Sequence, residues 1–239
     1  MKVLEELNTK QVGPKLEVVL FDSALEHLSR LHRVLRMRRG HSVLVGNPGS
    51  GRKSLFSLAA SAAQCQPFRL PFSASRVPDV VREMYEYIGL HKKSAALYVI
   101  DADLKQEGET RFLLCAQHIN SGFFAGVSEI LYHMMTTGWV PGIFNKEAKM
   151  GISQRLRNAG GVKTEEQDDE KLWMNFCSDC VSRLHVVMSL ERETLYALTQ
   201  QYPEFLTFTM LDWYQPWNEC ALRKVAKNFI SNVTQNNIL

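Results

Sequence analysis

Hydrophobic positions along the chain change their period several times, and each change marks an element. Ala24, Leu25, Leu28, Leu31 and Leu35 recur at helical spacing, which predicts a helix with one face on a core. Ser23 with Glu26 reads as a capping box at its start, and Gly40 ends it. Val43, Leu44 and Val45 then form an apolar run, followed by a helix over 54–63 whose face is Leu55, Leu58, Ala59 and Ala62. Residues 18–20 and 68–71 predict short strands. Val80, Val81, Met84, Tyr87 and Ile88 give the apolar face of a helix over 77–90. Residues 95–100 are apolar without alternation, as expected of a strand covered on both faces in a parallel sheet.

Farther along, 111–119 predicts a helix, 121–126 a turn and 127–135 a second apolar helix. Gly160, Gly161 and the acidic run over 165–170 mark an exposed loop whose acids suit the first turn of the next helix. That helix carries Leu172, Trp173, Phe176, Cys177, Cys180, Val181 and Leu184 on one stripe. Cys177 and Cys180 are half of a zinc-type spacing, but no second pair exists, and the stripe turns both thiols into the core. A strand over 185–188 follows, with His185 read as packing. A closing helix buries Ala221, Leu222, Val225, Ala226 and Phe229, and 231–239 reads as a frayed polar tail.

The chain of 239 residues is long enough for a full core, as one domain or one domain with a small helical lid. No run approaches the ~18 apolar residues of a membrane span. The first residues carry acids and no apolar core, so they do not read as a secretory signal. Five cysteines, an odd number, point to a reducing compartment. The net charge of +3 is too small to argue for nucleic acid. Arg30, Arg33, Arg36, Arg38 and Arg39 read as a solvated helix face and end, since no aromatics are interleaved with them.

The candidate chemistry centres on 41–54, His-Ser-Val-Leu-Val-Gly-Asn-Pro-Gly-Ser-Gly-Arg-Lys-Ser. An apolar strand, a turn with Gly46, Gly49 and Gly51, and then a helix form the context of a phosphate-binding loop. Glycines let backbone N–H groups close on phosphate oxygens, and the helix presents its positive end. The usual pattern is glycine, four residues, glycine, lysine, then serine or threonine. Counting from Gly46 gives Gly51, Arg52 and Lys53, with Ser54 one place late. Asp101 closes the apolar strand at the edge where open α/β sheets bind ligands. That position suits Mg²⁺, held directly or through water, with Ser54 as the hydroxyl. Ser189, at the end of a later strand, fits either a γ-phosphate sensor or an ordinary strand-end serine.

Taken in order, these segments resemble the fourth AAA+ module of dynein heavy chains. The resemblance is carried by Val19 to His27, Arg33-Val34-Leu35-Arg36, Arg39-Gly40-His41, Leu44-Val45-Gly46, Gly49-Ser50-Gly51-Arg52 and Ser54-Leu55. It resumes at Gly138 to Phe144, Arg157-Asn158-Ala159, Leu184 to Val187 and Tyr202-Pro203. It ends with Asp212-Trp213-Tyr214, Trp217, Ala221-Leu222, Val225-Ala226 and Phe229, so it covers about 17–230. It implies an α/β P-loop NTPase fold, a three-layer sandwich with a parallel sheet and a small C-terminal helical lid. The expected division is an extension over 1–16, the AAA+ domain over 17–210 with an insertion near 104–126, and a helical segment over 211–239 leading toward a coiled-coil stalk. The chain then reads as a fragment, short isoform or relic of a dynein-like protein.

The same resemblance implies ATP or ADP with Mg²⁺ as ligands, held by Gly46, Asn47, Pro48, Gly49, Ser50, Gly51, Arg52, Lys53, Ser54 and Leu55. Leu20 and Phe21 fall at the adenine, and Asp101 and Ser54 at the metal through water. Where AAA+ hydrolases place a glutamate after the strand-end aspartate, this chain has Ala102. No catalytic residue is assigned, and hydrolysis is expected to be weak or absent. Residues 195–201 contain no arginine to serve a neighbouring module, and Arg192 lies outside that register. Partners are other AAA+ modules and, indirectly, dynein subunits and microtubules, in the cytoplasm, cytoskeleton or axoneme. Membrane and nucleic acid are not expected. The competing readings are an active motor ATPase and a nucleotide-free scaffold.

Overall fold

Five strands, all parallel, form one sheet in the order β2-β3-β4-β1-β5. They are β1 (His41–Gly46), β2 (Gln66–Arg69), β3 (Ala95–Ile100), β4 (Leu184–Leu190) and β5 (Thr209–Tyr214). The computed structural model describes residues 2–10, 16, 18–70, 76–100, 122–159 and 169–236. Alternate residues of the central strands enter different cores, which explains apolar runs without alternation. Val43, Val45, Leu97 and Val99 face one cluster, and Leu44, Ala96, Tyr98 and Val187 the other.

The helices are α1 (Lys2–Lys10), α2 (Asp22–Arg36), α3 (Arg52–Ala62), α4 (Val77–His91), α5 (Gly122–Thr136), α6 (Lys146–Ala159), α7 (Asp169–Arg183), α8 (Arg192–Gln201) and α9 (Glu219–Asn236). Helices α4 to α8 cover one sheet face, and α2, α3 and α9 the other. The first face is locked by rings: Tyr85, Trp139, Phe144, Trp173 and Phe176 lie with centroids 5.0–6.3 Å apart. Gly89 makes this packing fit, since a Cβ there would come within 2.1 Å of the Phe176 ring.

Several local expectations give way to packing. Helix α2 starts at Asp22 behind Phe21, which is buried and extended, and no side chain caps it, so Ser23 and Glu26 form no capping box. Its buried stripe is Ala24, Leu31, Val34 and Leu35, with Leu25 turned outward. Residues 18–20 join no strand, because β5 occupies the free side of β1. Strand β2 begins two residues before the expected run. Residues 122–126 belong to α5 instead of a turn, and α9 continues helically to Asn236. In α9 Ala221 is buried and Val225 half-buried, while Leu222, Ala226 and Phe229 are exposed. Strand β5 runs through residues 210 and 211, so the sheet reaches Tyr214, past the division expected there. Helices α1, α6 and α8 are additions to the expected set. The helix expected over 111–119, the insertion core over 104–121 and the acids at 165–168 lie outside the described residues.

The cysteine stripe is packed as expected: Cys180 is fully buried and its thiol donates to Tyr85 O at 3.3 Å. Burial raises both the Cys177 and Cys180 thiol pKa values, which keeps them protonated. Among the described residues no cluster of three metal-binding side chains occurs, and no helix is long and apolar enough to cross a membrane.

Candidate functional site

Strand β1 ends at Gly46 against β5, where a Cβ would lie 2.8 Å from Tyr214 Cβ. Only glycine lets the chain leave the sheet there. Asn47 to Gly49 are exposed, and Ser50 N donates to Asn47 O at 3.3 Å to close the turn. Gly49 and Gly51 have φ of +80° and +86°, the left-handed region that glycine enters without strain. Gly51 is the N-cap of α3, and its carbonyl accepts from Leu55 N at 3.0 Å. The free N–H groups at the start of α3 therefore gather beside the end of β1.

Trp217 stands over this loop, 3.8 Å from where a Gly51 Cβ would be, and meets Phe21 edge-on at 5.6 Å. It borders two cavities. One, of about 120 Å³, is lined by Val18, Val19, Phe21, Ser54 and Phe229 among others. The second, of about 350 Å³, lies against Asn47, Pro48, Gly49 and Tyr214. Leu20 belongs to a separate cavity with Leu4, Leu28 and Leu58, so of the two residues expected at a base only Phe21 reaches the loop. Ser50 lines both loop cavities, and its hydroxyl is buried without a hydrogen-bond partner among the described residues.

Arg52 goes elsewhere. Its side chain is buried, and its guanidinium donates to Leu44 O at 3.3 Å and Leu190 O at 2.5 Å. It thus ties together the C-terminal ends of β1 and β4 beneath the loop. Lys53, next along, is exposed. Leu55 is buried in the α2–α3 core. Ser189 is buried in β4, opposite Leu44 on one side and Ile100 on the other, one residue before the carbonyl that Arg52 holds. Asp101 and Ala102 follow Ile100 and lie outside the described residues.

The fit of Mg²⁺ turns on one hydroxyl. In the pattern counted from Gly46, the position that ligates magnesium is residue 53, and it carries an ammonium group. Ser54 lines the apolar cavity beside Phe21 and Trp217. The described residues therefore do not supply the magnesium hydroxyl where the pattern needs it.

Two buried polar groups nearby escaped the sequence reading. Asp212 of β5 is 2% exposed and accepts from Arg30 at 3.1 Å and pairs with His27 at 2.8 Å. His27 also stacks on Tyr214 with centroids 4.0 Å apart. This pins α2 to the edge strand beside the loop. Burial, and next the Asp212 charge, raise the Tyr214 hydroxyl pKa, and that hydroxyl has no partner among the described residues. The only sequence signal was a lone aspartate inside an otherwise apolar and aromatic run.

At the N-terminal ends of β1 and β4, away from the loop, His41 and His185 are buried. Val186 N donates to His41 Nδ1 at 3.0 Å, and His185 Nδ1 donates to Gly40 O at 2.9 Å. Burial, then the charges of His185 and Arg39, lower the His41 pKa from 6.5 to about 3. His185 is packing, as expected. Arg39 donates to Thr136 O at 2.5 Å, and Arg33, Arg36 and Arg38 are exposed.

A strand–loop–helix on a β2-β3-β4-β1-β5 parallel sheet, with a cavity at the loop, is the setting in which comparison with known proteins becomes informative. The family model described as "P-loop containing dynein motor region D4" matches residues 16–239. The chain belongs to this dynein motor family. Among curated proteins it is 33% identical over 235 residues to human dynein axonemal heavy chain 10, covering 96% of this chain and 5% of that one. It is 32% identical over 222 residues to the dynein-1-alpha heavy chain of the flagellar inner arm I1 complex of Chlamydomonas reinhardtii, covering 90% and 4%. The alpha chain of the same organism's flagellar outer arm is 27% identical over 238 residues, covering 97% and 5%. The chain thus spans about one-twentieth of the length of these relatives. The dynein motor region identified here is an AAA+ P-loop domain, a family that implies nucleotide binding, typically with Mg²⁺.

Proposed function

We propose that this chain is a nucleotide-binding module of an axonemal-type dynein motor, which holds ATP or ADP with weak or no hydrolysis and acts structurally and by regulation. The observation that carries the reading is the loop over 46–51. It leaves the interior parallel strand β1 with two left-handed glycines, places the N-terminus of α3 at its end, and opens onto a cavity walled by Phe21 and Trp217. The loop amides hold the phosphates, and Phe21 with Trp217 shelters the base. Ser189, near the end of β4 and paired with Leu44 of β1, is the residue that would sense the terminal phosphate. Slow turnover follows from Ala102, which offers no proton acceptor for an attacking water. Its partners are other AAA+ modules of a heavy chain, with microtubules reached indirectly, in a cilium or flagellum.

Thermal unfolding of the chain in increasing ATP or ADP tests this. The expected result is a melting temperature that rises with the logarithm of nucleotide concentration, with phosphate release at the buffer background. A flat melting temperature in both nucleotides overturns the proposal in favour of a nucleotide-free scaffold. Rapid phosphate release lost on Asp101→Ala would instead favour an active ATPase.

A further inference from the structure

Three observations at the loop concern charge. The residue at the magnesium-hydroxyl position is Lys53, exposed and without an ion pair among the described residues. The neighbouring hydroxyl, Ser54, lies on the side of α3 that lines the apolar cavity with Phe21 and Trp217. Arg52, the residue before Lys53, has its guanidinium committed to Leu44 O and Leu190 O. A hard divalent cation needs oxygen ligands, and an ammonium has three donors and no acceptor. A fixed positive charge at that position also repels a metal approaching the same phosphates.

From this we propose that Lys53 takes the place of Mg²⁺, so that the module binds the polyphosphate of ATP or ADP without a divalent metal. The inference rests on the nucleotide-binding reading above and sharpens it. Lys53 is the second residue of α3, and its flexible four-carbon stem would bring the ammonium to an anion seated at the helix N-terminus and give it charge-assisted hydrogen bonds. Arg52 adds its positive charge from beneath, through the strand ends, as a positioning residue that fixes where β1 and β4 stop. The division of labour is therefore changed: amides and Lys53 hold the phosphates, and Arg52 holds the sheet.

Isothermal titration calorimetry of ATP and ADP into the whole chain decides the matter, in EDTA and in excess Mg²⁺. Affinity in EDTA is expected within about threefold of that in Mg²⁺. Lys53→Gln is expected to weaken binding in EDTA by about tenfold or more, the loss of a hydrogen bond to a charged group. Lys53→Ser is expected to make binding depend on Mg²⁺. Because Lys53 is exposed, both variants should keep the urea midpoint of the parent chain, which separates a lost contact from a lost fold. Binding that is more than tenfold tighter with Mg²⁺ in the parent chain overturns this proposal alone. So does binding that ignores both the metal and Lys53. No heat in either buffer overturns the nucleotide-binding reading, and this proposal with it.

Discussion

The two faces of the sheet are built to different standards. The face under α4 to α8 is closed by interlocked rings and by Gly89 receiving Phe176. The face under α2, α3 and α9 carries the cavities at the loop and the buried Asp212 and Arg52. Hydroxyls without partners among the described residues occur on both, Ser128 and Thr194 on the first and Ser50 and Tyr214 on the second, but on the second Ser50 lines both loop cavities and Tyr214 one of them. Dense packing stabilises a fold, whereas room beside polar groups is what a ligand uses. One face holds the molecule together and the other keeps space for chemistry.

The strongest way to break that contrast is Phe176→Ala. It should cost about 3–5 kcal/mol in urea unfolding, the range for an emptied aromatic site. Nucleotide affinity per folded molecule should stay unchanged. Asp212→Ala on the other face should cost about 3 kcal/mol, since it leaves His27 and a half-exposed Arg30 without their buried carboxylate. This variant should also weaken nucleotide binding, because the α2–β5 pin lies beside the loop.

Acid sharpens the comparison from the N-terminal ends of the strands, away from the loop. The folded His41 pKa lies below its ordinary value, so its contribution is fully present above pH 6.5 and is lost as pH falls toward 3. The loss is about 1.4 kcal/mol per pH unit at most for this one group. His41→Asn, whose Oδ1 replaces the acceptor for Val186 N, should flatten the melting temperature between pH 6.5 and 5. Gly51→Ala should cost about 1–2 kcal/mol through its left-handed φ. Its new methyl meets little, so any larger loss of nucleotide affinity reports on loop shape. Arg223→Ala removes an exposed pair with Glu219 on α9 and should change stability by less than about 0.5 kcal/mol.

Much of this was legible locally. Apolar runs without alternation marked β1, β3 and β4, glycines marked the loop, and the helical stripe assigned Cys180 to the core. The misplacements share a cause. Ser23 and Glu26 fit a capping box, but the anchored Phe21 starts α2 earlier. Leu222 and Phe229 fit an apolar stripe, yet α9 rests on the body along Ala221 and Val225. Strand β5 was hidden because its edge position leaves Leu211 and Trp213 exposed beside the buried Asp212 and Tyr214. Such a strand has no continuous apolar run to announce it.

By itself the amino-acid sequence determined the alternation of strands and helices, the phosphate-loop geometry and the dynein lineage. Each of these is written within a few neighbouring residues as backbone freedom or side-chain period. Tertiary structure decided where the long and polar side chains end. Arg52 finds a carbonyl 138 positions away, and Asp212 meets His27 across 185. A buried charge must be satisfied by whatever the fold brings beside it, and no local pattern carries that partner's address.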